Sequence, residues 1–112
     1  MLFRSSSGAG GTVTQLTSKA TGVTLSKVTG QITTANDSLA SATTTSFVLT
    51  NTTLAAGDLL VINHISGGTI GGYTFNASCG SGTATIYIRN VTNGALAEAL
   101  VLGFAVIKGV TA

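Results

Sequence analysis

Apolar and polar positions alternate along much of the chain with the two-residue period of half-buried strands. From Thr44 to Thr50, Phe47 and Leu49 fall on one face and Ser46 and Val48 on the other. From Tyr73 to Cys79, Tyr73, Phe75, Ala77 and Cys79 share a face opposite Thr74, Asn76 and Ser78. From Thr83 to Val91, Ala84, Ile86 and Ile88 point inward and Thr85, Tyr87 and Arg89 outward. Val23-Thr24-Leu25 and Gln31-Ile32-Thr33 are shorter strand candidates, with Gly30 as the break between them. Leu59 to His64 is mostly apolar and of strand length, which predicts burial on both sides. A last strand is expected from about Leu100 to Lys108. Its apolar residues do not alternate with polar ones, so both faces need cover, from within the fold or from another subunit.

Turn signals separate these segments. Asn51 to Gly57 is a turn region ending at Asp58, and Ser66-Gly67-Gly68 and Gly71-Gly72 interrupt the chain around Ile70. Gly80-Ser81-Gly82 reads as a hairpin connection. Thr92-Asn93-Gly94 carries the strongest turn signal, because Asn-Gly tolerates positive φ at both central positions. Ala95 to Leu100 has some helical propensity, but short strands without proline or a helical period outweigh it. The expected fold is all-β, an antiparallel β-sandwich or jelly-roll-like barrel. Residues 12–112 form its single domain. Residues 1–11 read as a flexible arm, an apolar tip of Met1, Leu2, Phe3 and then Arg4 on a Ser/Gly tract, which packs on its own domain, rests on a neighbouring molecule in a crystal, or anchors to a shell.

Composition sharpens the picture in one respect. Of 112 residues 44% are hydrophobic, which is ordinary, but only 7% are charged, against roughly a quarter in soluble chains. Low charge favours association over free solubility. The net charge of +2 comes from five Lys/Arg against three Asp/Glu, with no two basic residues adjacent, so the clustered cationic face of a nucleic-acid binder is missing. The longest apolar run, Ala99 to Ile107, is about half of a membrane span. No apolar region follows Arg4, so no secretory signal is read. Cys79 has no partner for an intrachain disulfide and is expected to be a small buried hydrophobe. The Asn-x-Ser/Thr triplets at Asn36, Asn51, Asn76 and Asn90 are expected by chance in so Thr-rich a chain.

Candidate chemistry is sparse. His64 lacks the Ser/His/Asp or Cys/His company of a nucleophilic site and is expected to be a hydrogen-bonded or exposed strand-end residue. One His and one Cys do not make a four-ligand zinc site. Asp58 after Gly57 suits turn stabilisation, while Asp37 and Glu98 are too far apart in sequence to argue a carboxylate pair. The Gly-Gly pairs lack the Lys-Ser/Thr of a phosphate loop. Tyr73, Phe75 and Tyr87 could form a sugar-binding platform, except that Tyr73 and Phe75 fall on the expected core face. The expectation is a protein without catalytic residues, metal, cofactor, small-molecule substrate, nucleic acid or membrane partner.

Four stretches carry a likeness: Gly22-Val23-Thr24-Leu25, Thr29-Gly30-Gln31-Ile32-Thr33, Asn63-His64-Ile65-Ser66-Gly67-Gly68-Thr69, and the closing run from Gly94 to Gly109. With them, about residues 12–109 resemble a family of small β-rich proteins of tailed phages and prophages. The resemblance implies a virion structural protein without enzymatic activity, of the head-decoration or the fibre-end kind. It makes a capsid decoration (cement) protein the leading expectation: assembled in the host cytoplasm, a homotrimer on the capsid surface, bound to the major capsid protein. Met1, Leu2, Phe3 and Arg4 would then anchor to the shell, and Leu100, Leu102, Phe104 and Val106 would lie at the subunit contact. A fibre or tail-tip module and a glycan-binding β-module are the alternatives.

Overall fold

The computed structural model describes residues 10–109. Its regular elements are ten strands: β1 (Thr12–Thr14), β2 (Val23–Thr24), β3 (Thr29–Thr33), β4 (Ser38–Leu39), β5 (Thr44–Thr50), β6 (Leu59–Ser66), β7 (Tyr73–Gly80), β8 (Thr83–Asn90), β9 (Leu96–Ala97) and β10 (Val101–Ile107). One sheet has the order β1-β3-β10-β6 and a second the order β2-β5-β8-β7, while β4 and β9 form a small ribbon of their own. The two sheets share one core. Ile32, Leu102 and Phe104 enter it from the first sheet, and Phe47, Leu49, Tyr73, Ile86 and Ile88 from the second. The fold is all-β and sandwich-like. Its long pairings are antiparallel, and only the short strands β1 and β2 pair in parallel, with β3 and β5.

The second sheet follows from its alternation. Central β8 turns Ala84, Ile86 and Ile88 inward, each essentially buried, and aligns them with Leu49, Phe47 and Thr45 of β5 and with Cys79, Ala77 and Phe75 of β7. Each fully buried isoleucine contributes about 2 kcal/mol by leaving water. Ser81 and Gly82 connect β7 to β8, and Gly82 adopts φ +76°, a conformation that glycine reaches without steric cost.

The first sheet departs from the sequence expectations at several points. Gly30 is no break: it lies inside β3, opposite Phe104, where a Cβ would come within 2.7 Å of Leu25 and 3.0 Å of the Phe104 ring. Glycine is there to let the phenyl ring pack. β6 is not buried on both sides. It alternates, with Leu60 and Ile62 half-buried against the core and Leu59, Val61 and Ile65 about half exposed. Its outward residues are aliphatic too, so its sequence hides the alternation. β10 alternates in the same hidden way, with Leu102 and Phe104 inward and Val101, Gly103 and Ala105 only half covered.

Thr92-Asn93-Gly94 bends the chain without the positive φ that Asn-Gly tolerates. Neither Asn93 nor Gly94 adopts positive φ, and the following strand, β9, pairs with β4 rather than β8. Asn90 imposes the wider loop: its amide donates to the carbonyls of Gly94 and Leu39, both at 2.9 Å. Ala95 to Leu100 holds the short strand β9 in place of a helical turn.

Candidate interaction surfaces

The residues expected at a subunit contact are spent inside the domain. Leu100, Leu102 and Phe104 are 0%, 1% and 5% exposed, and Val106 packs half-buried against the same core. β10 is a central strand with both edges paired. None of the first three can offer a side chain to a second subunit, because the sandwich's own core has taken it. The arm residues Met1, Leu2, Phe3 and Arg4 lie outside the described residues.

Polar residues serve the architecture. Asp58 closes its turn as expected: it accepts from the Ala55 amide at 2.8 Å, the Lys108 ammonium at 2.6 Å and the Gly109 amide at 2.9 Å. The Lys108 hydrogen bond, followed by those amides, lowers its pKa to about 2. His64 sits edge-on to Tyr73 and Phe75, with Nε2 2.6 Å from the Gly67 carbonyl and Nδ1 buried without a hydrogen-bond partner. Tyr73 donates to the Glu98 carboxylate at 3.0 Å, and burial together with that carboxylate pushes the phenol well above its ordinary range. Burial pushes Glu98 upward, but hydrogen bonds from the Thr69 amide, Tyr73 and the Thr69 hydroxyl outweigh it and hold the carboxyl below the usual range. Cys79 is half-buried, and burial followed by the Asp58 charge raises its thiol pKa. Among the described residues no group of three or more His, Cys, Asp or Glu side chains comes together.

Several buried polar groups escaped sequence reasoning, Lys19, Asn51 and Asn90 among them. Lys19 is 2% exposed, and its ammonium donates to the carbonyls of Ala35, Asp37 and Glu98 at 2.7–2.8 Å and lies 3.3 Å from the Asp37 carboxylate. A lone lysine between Ser18 and Ala20 gives no hint of this, because its partners are remote in sequence. Asn51 and Asn90 are fully buried. Each accepts from the amide and hydroxyl of the threonine two residues on. At these two sites the Asn-x-Thr triplet is therefore a turn motif rather than an accident.

The two sheets present different outer faces. Arg89 is the only Lys, Arg, Asp or Glu within the eight strands of the two sheets. The outer face of the second sheet carries hydroxyl and amide groups, with the half-exposed Tyr87 aligned between Ser46 and Asn76. The outer face of the first sheet carries exposed Leu59, Val61, Ile65 and Ile107. A groove of about 550 Å³ crosses all four of its strands, from Gly10 and Gly11 over Gly103 and Ala105 to Val61 and Ile65.

The sandwich's flanks differ as well. On one side the edge strands are β1 and β2, three and two residues long; on the other they are β6 and β7, eight residues each. Protein edges are ordinarily guarded by shortness, charge, proline or a bulge. The first flank is guarded by shortness. The second has no charge and no proline, and only the extra residue Ile65 interrupts the β6 register. No protein-family model matches the chain, and neither a curated protein nor a solved structure does.

Proposed function

We propose that this chain is a non-enzymatic assembly module, a capsid decoration (cement) protein of a tailed phage that binds adjacent major capsid subunits as a homotrimer. The observation that carries this reading is the flank formed by β6 and β7, two long edge strands without a charged side chain. An edge of that length without charge or proline is an aggregation hazard in a free monomer. In a closed oligomer on a particle surface it is covered, since closure removes the unpaired strand ladder. The scarcity of charge in both sheets suits packing against neighbours. The resemblance of residues 12–109 to small β-rich phage proteins supplies the particle. The module is assembled in the host cytoplasm and resides on the virion.

The test is the copy number of the chain in its source particle, measured by quantitative mass spectrometry against the major capsid protein. One copy per capsid subunit, or a simple fraction of that, is expected. A handful of copies moves the protein to a tail tip or fibre, and absence from the particle overturns the virion reading.

A second reading rests on Tyr87, 40% exposed on the hydroxyl-rich outer face of the second sheet. An aromatic ring among hydroxyl and amide groups suits a sugar ring, with stacking from the tyrosine and hydrogen bonds from its neighbours. Glycan-array binding that is lost in Tyr87→Ala would put this reading first.

A further inference from the structure

The backbone bonds on the inner side of β6 and β7 fix which groups stand open on the outer side. In an antiparallel ladder a residue turns its N–H and C=O to one neighbour, and the next residue turns both the other way. The Val91 amide donates to the Gly72 carbonyl, and the Asn90 amide to that of Thr43. The odd-numbered residues of β8 therefore face β7 and the even-numbered ones β5. In β7 the bonded partners are Thr74, Asn76, Ser78 and Gly80, which leaves the backbone groups of Tyr73, Phe75, Ala77 and Cys79 on the open side. Likewise the Val106 amide donates to Val28, just before β3. The even-numbered residues of β10 then face β3 and the odd-numbered ones β6, so β6 turns the backbone groups of Leu60 and Ile62 outward. Among the described residues no strand meets either edge.

The two edges share a flank and run in opposite directions. His64, near the end of β6, lies 6.0 Å and 5.8 Å in ring-centroid distance from Tyr73 and Phe75 at the start of β7. The Asp58 carboxylate, just before β6, is close enough to act on Cys79 near the end of β7. Within one copy these strands belong to different sheets and do not pair. One extended peptide would meet one edge and leave the other open. A second copy meets both, because every copy carries both. A rotation axis parallel to the strands preserves their directions, so it sets β6 of one copy against β7 of the next as an antiparallel pair, the more stable kind. Both strands are eight residues long and lack Lys, Arg, Asp and Glu, so no like charges stand opposite each other.

We propose that β6 of one copy of this chain hydrogen-bonds to β7 of the next, joining the first sheet of each copy to the second sheet of its neighbour. The inference rests on the closed oligomer proposed above, not on its place in a virion, and names the strands that close it.

Residue-resolved amide hydrogen exchange of the unmodified chain, above and below the concentration at which sedimentation shows the oligomer, reads these edges directly. The amides of Ile62, Phe75 and Ala77 are expected to exchange about ten-fold or more slowly in the oligomer than in the diluted chain. An oligomer without that protection overturns the proposal and leaves the oligomer standing. A chain that is monomeric at every concentration overturns both. Ile62→Pro and Ala77→Pro then each remove one outward N–H, at edge positions where proline is tolerated, and circular dichroism checks that both keep their β-sheet. Each variant alone is expected to sediment as a monomer. Their equimolar mixture is expected to associate again, through the intact β7 of the first and the intact β6 of the second. A folded variant that keeps the oligomer overturns the proposal. So does a mixture that stays monomeric, because like edges then pair with like.

Discussion

The two flanks of this sandwich solve the same problem in opposite ways. Where β1 and β2 form the edges, the strands are too short to template another chain, and the loops beyond β1 and β3 are tied down by buried polar groups. Gln15 donates to the carbonyls of Lys19 and Thr21 and accepts from the Ala35 amide, while Lys19 gathers three further carbonyls. Where β6 and β7 form the edges, eight-residue strands stand open and uncharged. One flank has short edge strands whose following loops are tied by buried side chains; among the described residues the other has two eight-residue edges with no strand beside them. The difference teaches where to look for a partner: at the edge the fold has left unguarded, not at the strand with the most apolar sequence.

This contrast can be broken from either side, beginning with the largest effect. Lys19→Met keeps the apolar stem but leaves the carbonyls of Ala35, Asp37 and Glu98 without their common donor. Buried acceptors stripped of a partner cost about 1–3 kcal/mol each. With some relief from water, a loss of about 3 kcal/mol is expected in urea unfolding. On the open flank, Leu59→Lys and Ser78→Lys add a gatekeeping charge to each edge at exposed positions. Sedimentation should then show loss of the proposed oligomer, with stability held within about 0.5 kcal/mol as is usual for surface changes; an intact oligomer removes the open edges from the proposed assembly.

The pH response sharpens the comparison at the foot of β6. The Asp58 carboxyl is held at about 2 in the fold, against about 3.9 when unfolded. The unfolded chain therefore takes up the proton first as pH falls. The stabilisation is complete above the ordinary carboxylate range and is lost between about pH 4 and about pH 2. Lys108→Met removes the largest cause of that shift, so acid unfolding followed by circular dichroism should begin at a higher pH than in the unmodified chain. The smallest effect belongs to neither flank. Ala42 has φ +57°, a left-handed conformation costly for any residue with a Cβ. Ala42→Gly should raise stability by roughly 0.5–1 kcal/mol, after allowing for glycine's greater chain entropy, as a higher urea midpoint.

The second sheet was legible because its outward positions are polar. Thr85, Tyr87 and Arg89 against Ala84, Ile86 and Ile88 reveal the period directly. β6 and β10 were misread because period two vanishes when the outward residues are Leu59, Val61, Gly103 and Ala105. A strand facing solvent then looks like one buried on both sides, and side chains that the core consumes pass for a subunit contact. Asn93-Gly94 misled because local turn preference lost to Asn90, whose amide spans the loop to Leu39. Lys19 could not be foreseen at all: one of its partners, the Glu98 carbonyl, is 79 residues away. Of the expected sites, Asp58 was correctly read as a turn carboxylate, because its partner Ala55 lies three residues back.

The position of β10 has a consequence in time. It is the last of the ten strands in chain order, yet it lies in the interior of the first sheet, between β3 and β6, which do not pair with each other. While the chain emerges from a ribosome at roughly 5–20 residues per second, β3 has only the three-residue β1 beside it, and β6 has no strand to pair with until β10 follows. Lys19 likewise waits for Glu98. The second sheet, whose strands all precede residue 91, can form first and must wait with one side of its core exposed. A nascent or prematurely terminated chain lacking β10 is thus not a smaller version of this protein but half a sandwich with a bare apolar face, the form most exposed to chaperones and proteases.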